Sequence, residues 1–179
     1  AFCSNVVLGC TADEAGNWWL GTQEGLVKLS SSAKKHTELP YSFVGKCLSP
    51  TTQPDMPEDY IINTRYFGDE HWVTFWRGGL RKIQLNNDGQ WQFDSISGLA
   101  ALTQNAGIHD IIKDQSGSYW IATPNRGVIQ WLPELDSLCV YEPKNGGGLL
   151  SPYIFYLLED QQGRLWAGTA NGGLCYREP

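Results

Sequence analysis

An indole and a guanidinium stand side by side at Trp76-Arg77, and no other pair in the chain is as well suited to gripping a small molecule. A ring of that kind stacks on the apolar face of a sugar, and a guanidinium holds a carboxylate or hydroxyls. Groups able to do reactive chemistry are sparser. His36, His71 and His109 do not converge by any spacing, and His109-Asp110 is a poor acid/base pair because adjacent strand residues point to opposite faces. The serines lack a nucleophile elbow, and Gly146-Gly147-Gly148 does not open a helix that could cradle phosphate. Glu58-Asp59 and Glu159-Asp160 fall in loops or turns, where solvated charge is expected. Cys3, Cys10, Cys47, Cys139 and Cys175 show no C-x-x-C spacing, which argues against a zinc knuckle or a redox pair. Their odd number leaves at least one thiol unpaired, and they read as scattered core or loop residues rather than as a structural disulfide. The expectation is a chain with no catalytic residues, no metal and no cofactor.

The elements that must position Trp76 and Arg77 are repeats. Trp19, Trp72, Trp120 and Trp166 recur at intervals of 53, 48 and 46 residues, the spacing of propeller blades. Before each Trp runs an apolar strand: Val6 to Leu8, Tyr60 to Ile62, Ile108 to Ile112, Tyr153 to Leu158. Each leads through a short turn into the Trp strand, which makes a β-hairpin. Asp13, Asp114 and Asp160 stand three residues before Gly16, Gly117 and Gly163. That spacing predicts a tight turn whose carboxylate accepts from its own backbone and whose Gly takes positive φ. Blade two has Asp69 where the others have Gly, so its turn must differ.

A second turn Gly (Gly25, Gly79, Gly127, Gly173) fixes the register of a third strand. Outer strands are expected at His36 to Leu39, Gln90 to Phe93 and Leu138 to Tyr141. Nothing but Arg177-Glu178-Pro179 follows the third strand of the last blade, and only Ala1 to Asn5 could replace its outer strand. Five residues make a marginal strand, so the chain reads as a portion of a larger propeller. The fold class predicted is all-β, with propeller-type repeats in four blades of mostly four antiparallel strands. The repeats lie at about 5–40, 59–95, 107–142 and 152–179 within a single propeller segment, 1–179. The four tryptophans read as apolar plugs between neighbouring sheets, because an exposed functional group has no reason to recur in every blade.

Ligands engage propeller loops, where a rigid frame carries variable sequence. The turns after the Trp strands carry Thr22-Gln23, Thr123-Pro124 and Thr169-Ala170, but blade two carries Phe75-Trp76 followed by Arg77. Phe75, Trp76 and Arg77, with Glu24, Asn125, Arg126 and Asn171 of neighbouring turns, form the candidate ligand patch. Phe75 and Trp76 could instead fold under the linker Pro40 to Asp59, covered by Leu48 and Met56, or contact another protein domain.

A formal charge of −6 and no basic run longer than Lys34-Lys35 argue against nucleic acid. No stretch reaches the roughly 20 apolar residues of a spanning helix, and Ala1 to Asn5 is not a signal peptide, so no membrane insertion by this segment is expected.

The pattern D-x-x-G-x-[LYW]-W-[IAL]-[GA]-T-x-x-G-[LV], carried by repeats one, three and four and degraded in repeat two, resembles the two-component regulator propeller repeat. A sialidase Asp-box, with its Gly two residues after the Asp, and the quinoprotein motif fit less well. The resemblance covers essentially the whole chain and implies a periplasmic, non-catalytic ligand-sensing segment of a bacterial transmembrane signalling protein. The parent would be a hybrid histidine kinase or a diguanylate cyclase, with the output domain outside this chain. A small-molecule or oligosaccharide ligand and neighbouring blades or domains of the parent are the partners implied. Two other readings stay open: an interaction or self-association module, and a propeller enzyme such as a lyase or lactonase.

Overall fold

The computed structural model describes residues 3–30, 45–103, 106–143 and 148–179. Its fold is all-β, four antiparallel propeller blades in which strands follow one another in chain order. Blade one comprises β1 (Val7–Ala12), β2 (Trp18–Thr22), β3 (Gly25–Leu29) and β4 (Gly45–Leu48). Blade two comprises β5 (Ile61–Phe67), β6 (Glu70–Phe75), β7 (Gly79–Leu85) and β8 (Trp91–Asp94). A five-residue helix, α1 (Leu99–Thr103), precedes blade three, which comprises β9 (Asp110–Lys113), β10 (Tyr119–Ala122), β11 (Val128–Leu132) and β12 (Ser137–Tyr141). Blade four has three described strands, β13 (Ile154–Glu159), β14 (Leu165–Thr169) and β15 (Leu174–Arg177).

The blades fall into two compact units. One holds blade one and most of blade two, through Phe75 and again over Arg81–Asp94; the other holds Trp76–Leu80 and Ser95–Pro179, with blades three and four. In the first unit Trp19, Leu26 and Leu48 of blade one pack with Ile61, Val73, Phe75 and Ile83 of blade two, and Met56 joins them from the linker. In the second, Trp120, Ala122 and Val128 of blade three pack with Ile154, Leu157, Leu165 and Ala167 of blade four. Each sheet thus buries one flank against its neighbour, as repeats that cannot bury both faces alone require.

The anchor tryptophans occupy equivalent places. Trp19 pairs with Thr11 and Lys28, Trp120 with Ile112 and Gln130, and Trp166 with Leu158 and Tyr176, each in the second strand, while Trp72 pairs with Arg65. Small residues beside them allow close approach: a Cβ on Gly21 would stand 2.7 Å from Ile61 Cγ2.

The Asp turns form as the spacing predicts. Gly16, Gly117 and Gly163 have φ of 79°, 89° and 77°, and each donates its N–H to the carbonyl of the Asp three residues earlier. Blade two replaces this turn with a two-residue hairpin, Gly68-Asp69, between the paired Phe67 and Glu70. Gly68, not position 69, supplies the positive φ there.

Blade one departs from the sequence reading, whereas blade four has the three strands expected of it. Blade one draws its fourth strand from Gly45–Leu48; the expected His36 to Leu39 lies outside the described residues. The cysteines are not all scattered thiols, because Cys3 and Cys47 form a disulfide across 44 residues with Cα atoms 5.9 Å apart. The bond arises because β4 runs beside β3 and brings Cys47 opposite Val27, a pairing that no local spacing encodes. It also ties Cys3 to blade one, where the lead-in had been a candidate outer strand for the last blade. Cys10, Cys139 and Cys175 remain free thiols.

Candidate functional site

The turn joining second and third strands is built the same way in three blades. Thr22, Thr123 and Thr169 donate their hydroxyls to the carbonyls of Gly25, Gly127 and Gly173, at 2.7, 2.9 and 2.9 Å. The same oxygens accept the N–H of Glu24, Arg126 and Gly172. One hydroxyl therefore closes the turn from both sides, which is the role of the recurring Thr; sequence reasoning had noticed the column without its function. Phe75 holds this place in blade two and cannot make either bond.

Phe75 is fully buried among Leu48, Met56 and Ile61, so it belongs to the core and offers nothing to a ligand. The cover foreseen from the linker is real for Phe75. Trp76, by contrast, is 50% exposed, and Arg77 is exposed beside it. Glu24 is exposed on its Thr-braced turn in the first unit.

In the second unit, the connection from β12 to β13 interlaces the turns of blades three and four. Gly127 donates its N–H to the Pro152 carbonyl, Ala170 donates to the Tyr153 carbonyl, and Ile154 donates to the Thr123 carbonyl. This lacing brings Asn125 and Asn171, both exposed, to one loop edge together with Tyr153, which is about half exposed. Arg126 is half-buried, its Nε 2.9 Å from Glu142 Oε1 as an ion pair lacking hydrogen-bond geometry. Tyr153 adds an exposed aromatic ring to this edge, where the sequence read it only as the start of an apolar strand.

A cleft of about 520 Å³ opens elsewhere in the same unit, between the Asp turns of blades three and four. Gln115, Gln161, Gln162, Glu159 and Arg177 line it with Trp120 and Leu165 beneath. Glu159 accepts the Gln115 N–H at 3.1 Å, and Arg177 lies over the Trp120 ring at 5.4 Å. Its volume suits a small ligand, and its lining offers carboxamides, the carboxylates of Asp114 and Glu159, and one guanidinium. Sequence spacing gave no sign of it, because the lining comes from two blades.

The candidate reactive groups have structural work. His71 is buried, and desolvation pulls its pKa down to about 3, so the ring is neutral. Its Nε2 lies 2.6 Å from Thr64 Oγ1, and its ring meets Trp19 edge-on at 4.5 Å. His109 Nδ1 lies 2.8 Å from the Ile154 carbonyl oxygen, and the ring stacks on Phe155. Asp110 accepts the N–H of Ile111 through Oδ1 and of Leu157 through Oδ2, joining blades three and four from within. His36 lies outside the described residues. Among the described residues no group of three or more His, Cys, Asp or Glu side chains is placed to hold a metal ion, and no helix is long and apolar enough to cross a membrane.

The two-component regulator propeller model matches residues 148–171. Among curated proteins none matches at a significant level. Solved structures share the fold. The extracellular domain of BT3049 from B. thetaiotaomicron, described as a hybrid two component system, is 16% identical with a TM-score of 0.60 over 98% of this chain and 27% of that one. Virginiamycin B lyase from Staphylococcus aureus is 13% identical with a TM-score of 0.55 over 97% and 55%. YCF48 from Cyanidioschyzon merolae is 15% identical with a TM-score of 0.62 over 100% and 52%. The chain thus spans about a quarter of the BT3049 domain and half of the other two. In fold and in repeat motif it is a four-bladed propeller assembly resembling the extracellular domains of bacterial two component systems.

Proposed function

We propose that the chain is a non-catalytic, extracytoplasmic ligand-sensing propeller segment of a bacterial transmembrane signalling protein, periplasmic in location. The observation that carries this reading is the blade-two turn, where the residue in the Thr-brace position is the buried Phe75 and the exposed Trp76-Arg77 pair follows it. An exposed ring beside an exposed guanidinium offers stacking and charge to one ligand at once, which favours recognition. The ligand is a small molecule or oligosaccharide whose apolar ring face meets the indole and whose hydroxyls or carboxylate meet Arg77, with Asn125, Arg126 and Asn171 of the same unit as further polar groups. The Cys3–Cys47 disulfide supports an oxidising compartment, since such bonds persist outside the cytosol. Binding shifts signalling only through unequal affinity for two arrangements of the parent protein.

The non-catalytic reading is supported by the buried, neutral His71 and by His109 and Asp110, whose polar atoms meet backbone groups. The test is calorimetric titration of the chain with a panel of neutral and acidic oligosaccharides, repeated on Trp76→Ala and Arg77→Ala. Loss of binding by tenfold or more in folded variants supports the reading. Unchanged affinity in both, or turnover of any panel member by the chain, removes it.

A further inference from the structure

The loop edge shared by blades three and four joins three short segments, Thr123 to Gly127, Ser151 to Tyr153 and Thr169 to Gly173, laced by backbone hydrogen bonds. Their sequences carry a single charged side chain, Arg126. The other polar side chains they contain, Asn125 and Asn171 among them, are neutral. The preference of this edge for anions or for neutral molecules therefore depends on what holds that guanidinium.

Strand register supplies the partner. β11 pairs with β12 so that Val128 stands opposite Tyr141, which brings the end of β12 alongside the Thr-braced turn. Gly127, at φ 69°, lies so close to the Tyr141 carbonyl oxygen that a Cβ would collide with it. The Arg126 N–H is meanwhile fixed on Thr123 Oγ1 at 2.9 Å. Glu142, the residue after Tyr141, is thus delivered to the flank of Arg126, with Oε1 2.9 Å from Nε. The Glu142 and Arg126 side chains are 20% and 35% exposed, and Nε itself is closed off from solvent. Partial burial limits how far water and salt screen the pair. The pair has no net charge, so the three segments with their partner offer carboxamides, a compensated guanidinium and the half-exposed ring of Tyr153.

We infer that Glu142 sets the ligand specificity of this edge: by neutralising Arg126 it selects a ligand that presents hydroxyls here, a neutral sugar unit, over one that presents a carboxylate. The inference rests on the proposed ligand patch and names the class of group that the patch takes at this end. A lone guanidinium grips a carboxylate in a charge-assisted, bidentate pair. With Glu142 already on that cation, an incoming carboxylate meets a like charge, and like charges brought together cost affinity. A hydroxyl escapes the penalty, because it donates to a carboxylate as readily as it accepts from a guanidinium. Glu142 acts here through Arg126, as a specificity residue that does not itself need to touch the ligand.

The test is calorimetric titration with matched probes that differ only in charge, a set of uronate oligosaccharides each as its free acid and as its neutral methyl ester. Glu142→Gln should raise the acid-to-ester affinity ratio by roughly tenfold over the wild type, and the gain should fade as salt is raised. Glu142→Asp keeps the charge and should keep the wild-type ratio. Glu134→Gln, which removes an exposed carboxylate from the same blade, should also leave the ratio unchanged. Adding Arg126→Gln to Glu142→Gln takes away the freed cation and should abolish the gain. Circular dichroism and melting identify variants that have kept the fold. An unchanged ratio in folded Glu142→Gln, a gain that persists without Arg126, or the same gain in Glu134→Gln would each overturn the proposal while leaving the ligand patch standing. Failure of every ester and every acid to bind the wild-type chain would overturn the patch and this proposal together.

Discussion

The Trp120 indole donates its Nε1–H to Asp114 Oδ2 at 2.7 Å, across the six-residue interval that the sequence repeats. Trp166 does the same to Asp160 at 2.8 Å and Trp19 to Asp13 at 3.0 Å. While Oδ2 holds the indole, Oδ1 accepts backbone N–H groups of its own turn, from Ser116 and Ser118 in blade three. One carboxylate therefore fixes a hairpin turn and aims the plug that fills the gap between sheets. Blade two has Tyr66 at the corresponding place and the short Gly68-Asp69 turn instead.

Replacing Asp114 with Ala should consequently cost more than a surface carboxylate would. It removes the turn's acceptor and leaves a buried indole N–H without its partner, a loss of about 1–3 kcal/mol. Denaturant unfolding followed by tryptophan fluorescence should show it, with Asp114→Asn retaining part of the stability because an amide oxygen still accepts.

Stability should fall with acid in two windows. The His71 pKa is depressed to about 3, so below the ordinary value near 6.5 the unfolded chain takes a proton that the folded ring refuses. Stability is full above about 6.5 and declines as pH falls toward 3, by up to about 1.4 kcal/mol per pH unit. Asp160 titrates lower: hydrogen bonds from Trp166 and Arg164 hold it at about 2, so its contribution is lost as pH drops through the ordinary carboxylate range toward 2. Unfolding curves of His71→Phe between pH 7 and 4 should be flatter than those of the wild type.

Reduction of Cys3–Cys47 should weaken the first unit. Releasing a crosslink that spans 44 residues restores unfolded-state entropy equivalent to about 4 kcal/mol at most in the chain-entropy treatment. Melting with and without reductant, and on Cys3→Ser, should show a lower transition for signals from Trp19, with the wild-type value returning on reoxidation.

Two glycines of similar φ should respond differently to alanine. Gly117 has open space around its missing Cβ, and Gly117→Ala should cost only the backbone penalty, about 1 kcal/mol. A Cβ on Gly127 would collide with the Tyr141 carbonyl oxygen, and its N–H is committed to Pro152. Gly127→Ala should therefore destabilise the second unit by several times as much, measurable in the same unfolding assay.

Legibility followed the range of the interactions. The Asp turns, the positive-φ glycines and the hairpins are local, so Asp114-x-x-Gly117 could be read directly. The Asp–Trp bond spans only six residues and was visible as a spacing, yet the spacing alone did not say that a carboxylate and an indole meet. The Thr brace was seen as a column and understood only from its two hydrogen bonds. In the candidate patch, exposure divided what adjacency had joined: Phe75 belongs to the core and Trp76 to the surface, because alternation along the chain turns neighbouring side chains to opposite sides.

By itself, then, the sequence determined four blades, their hairpins and the indole that each contributes, since these follow from contacts within about fifty residues that every repeat writes again. Tertiary structure decided the Cys3–Cys47 bond, the lacing of Asn125 and Asn171 through Tyr153, the shared polar cleft of blades three and four, and which indoles are covered. The physical reason is that burial belongs to pairs of sheets: Trp120 and Trp166 sit in the same register with the same hydrogen bond, and only the sheet beside each one separates a buried plug from a half-open face.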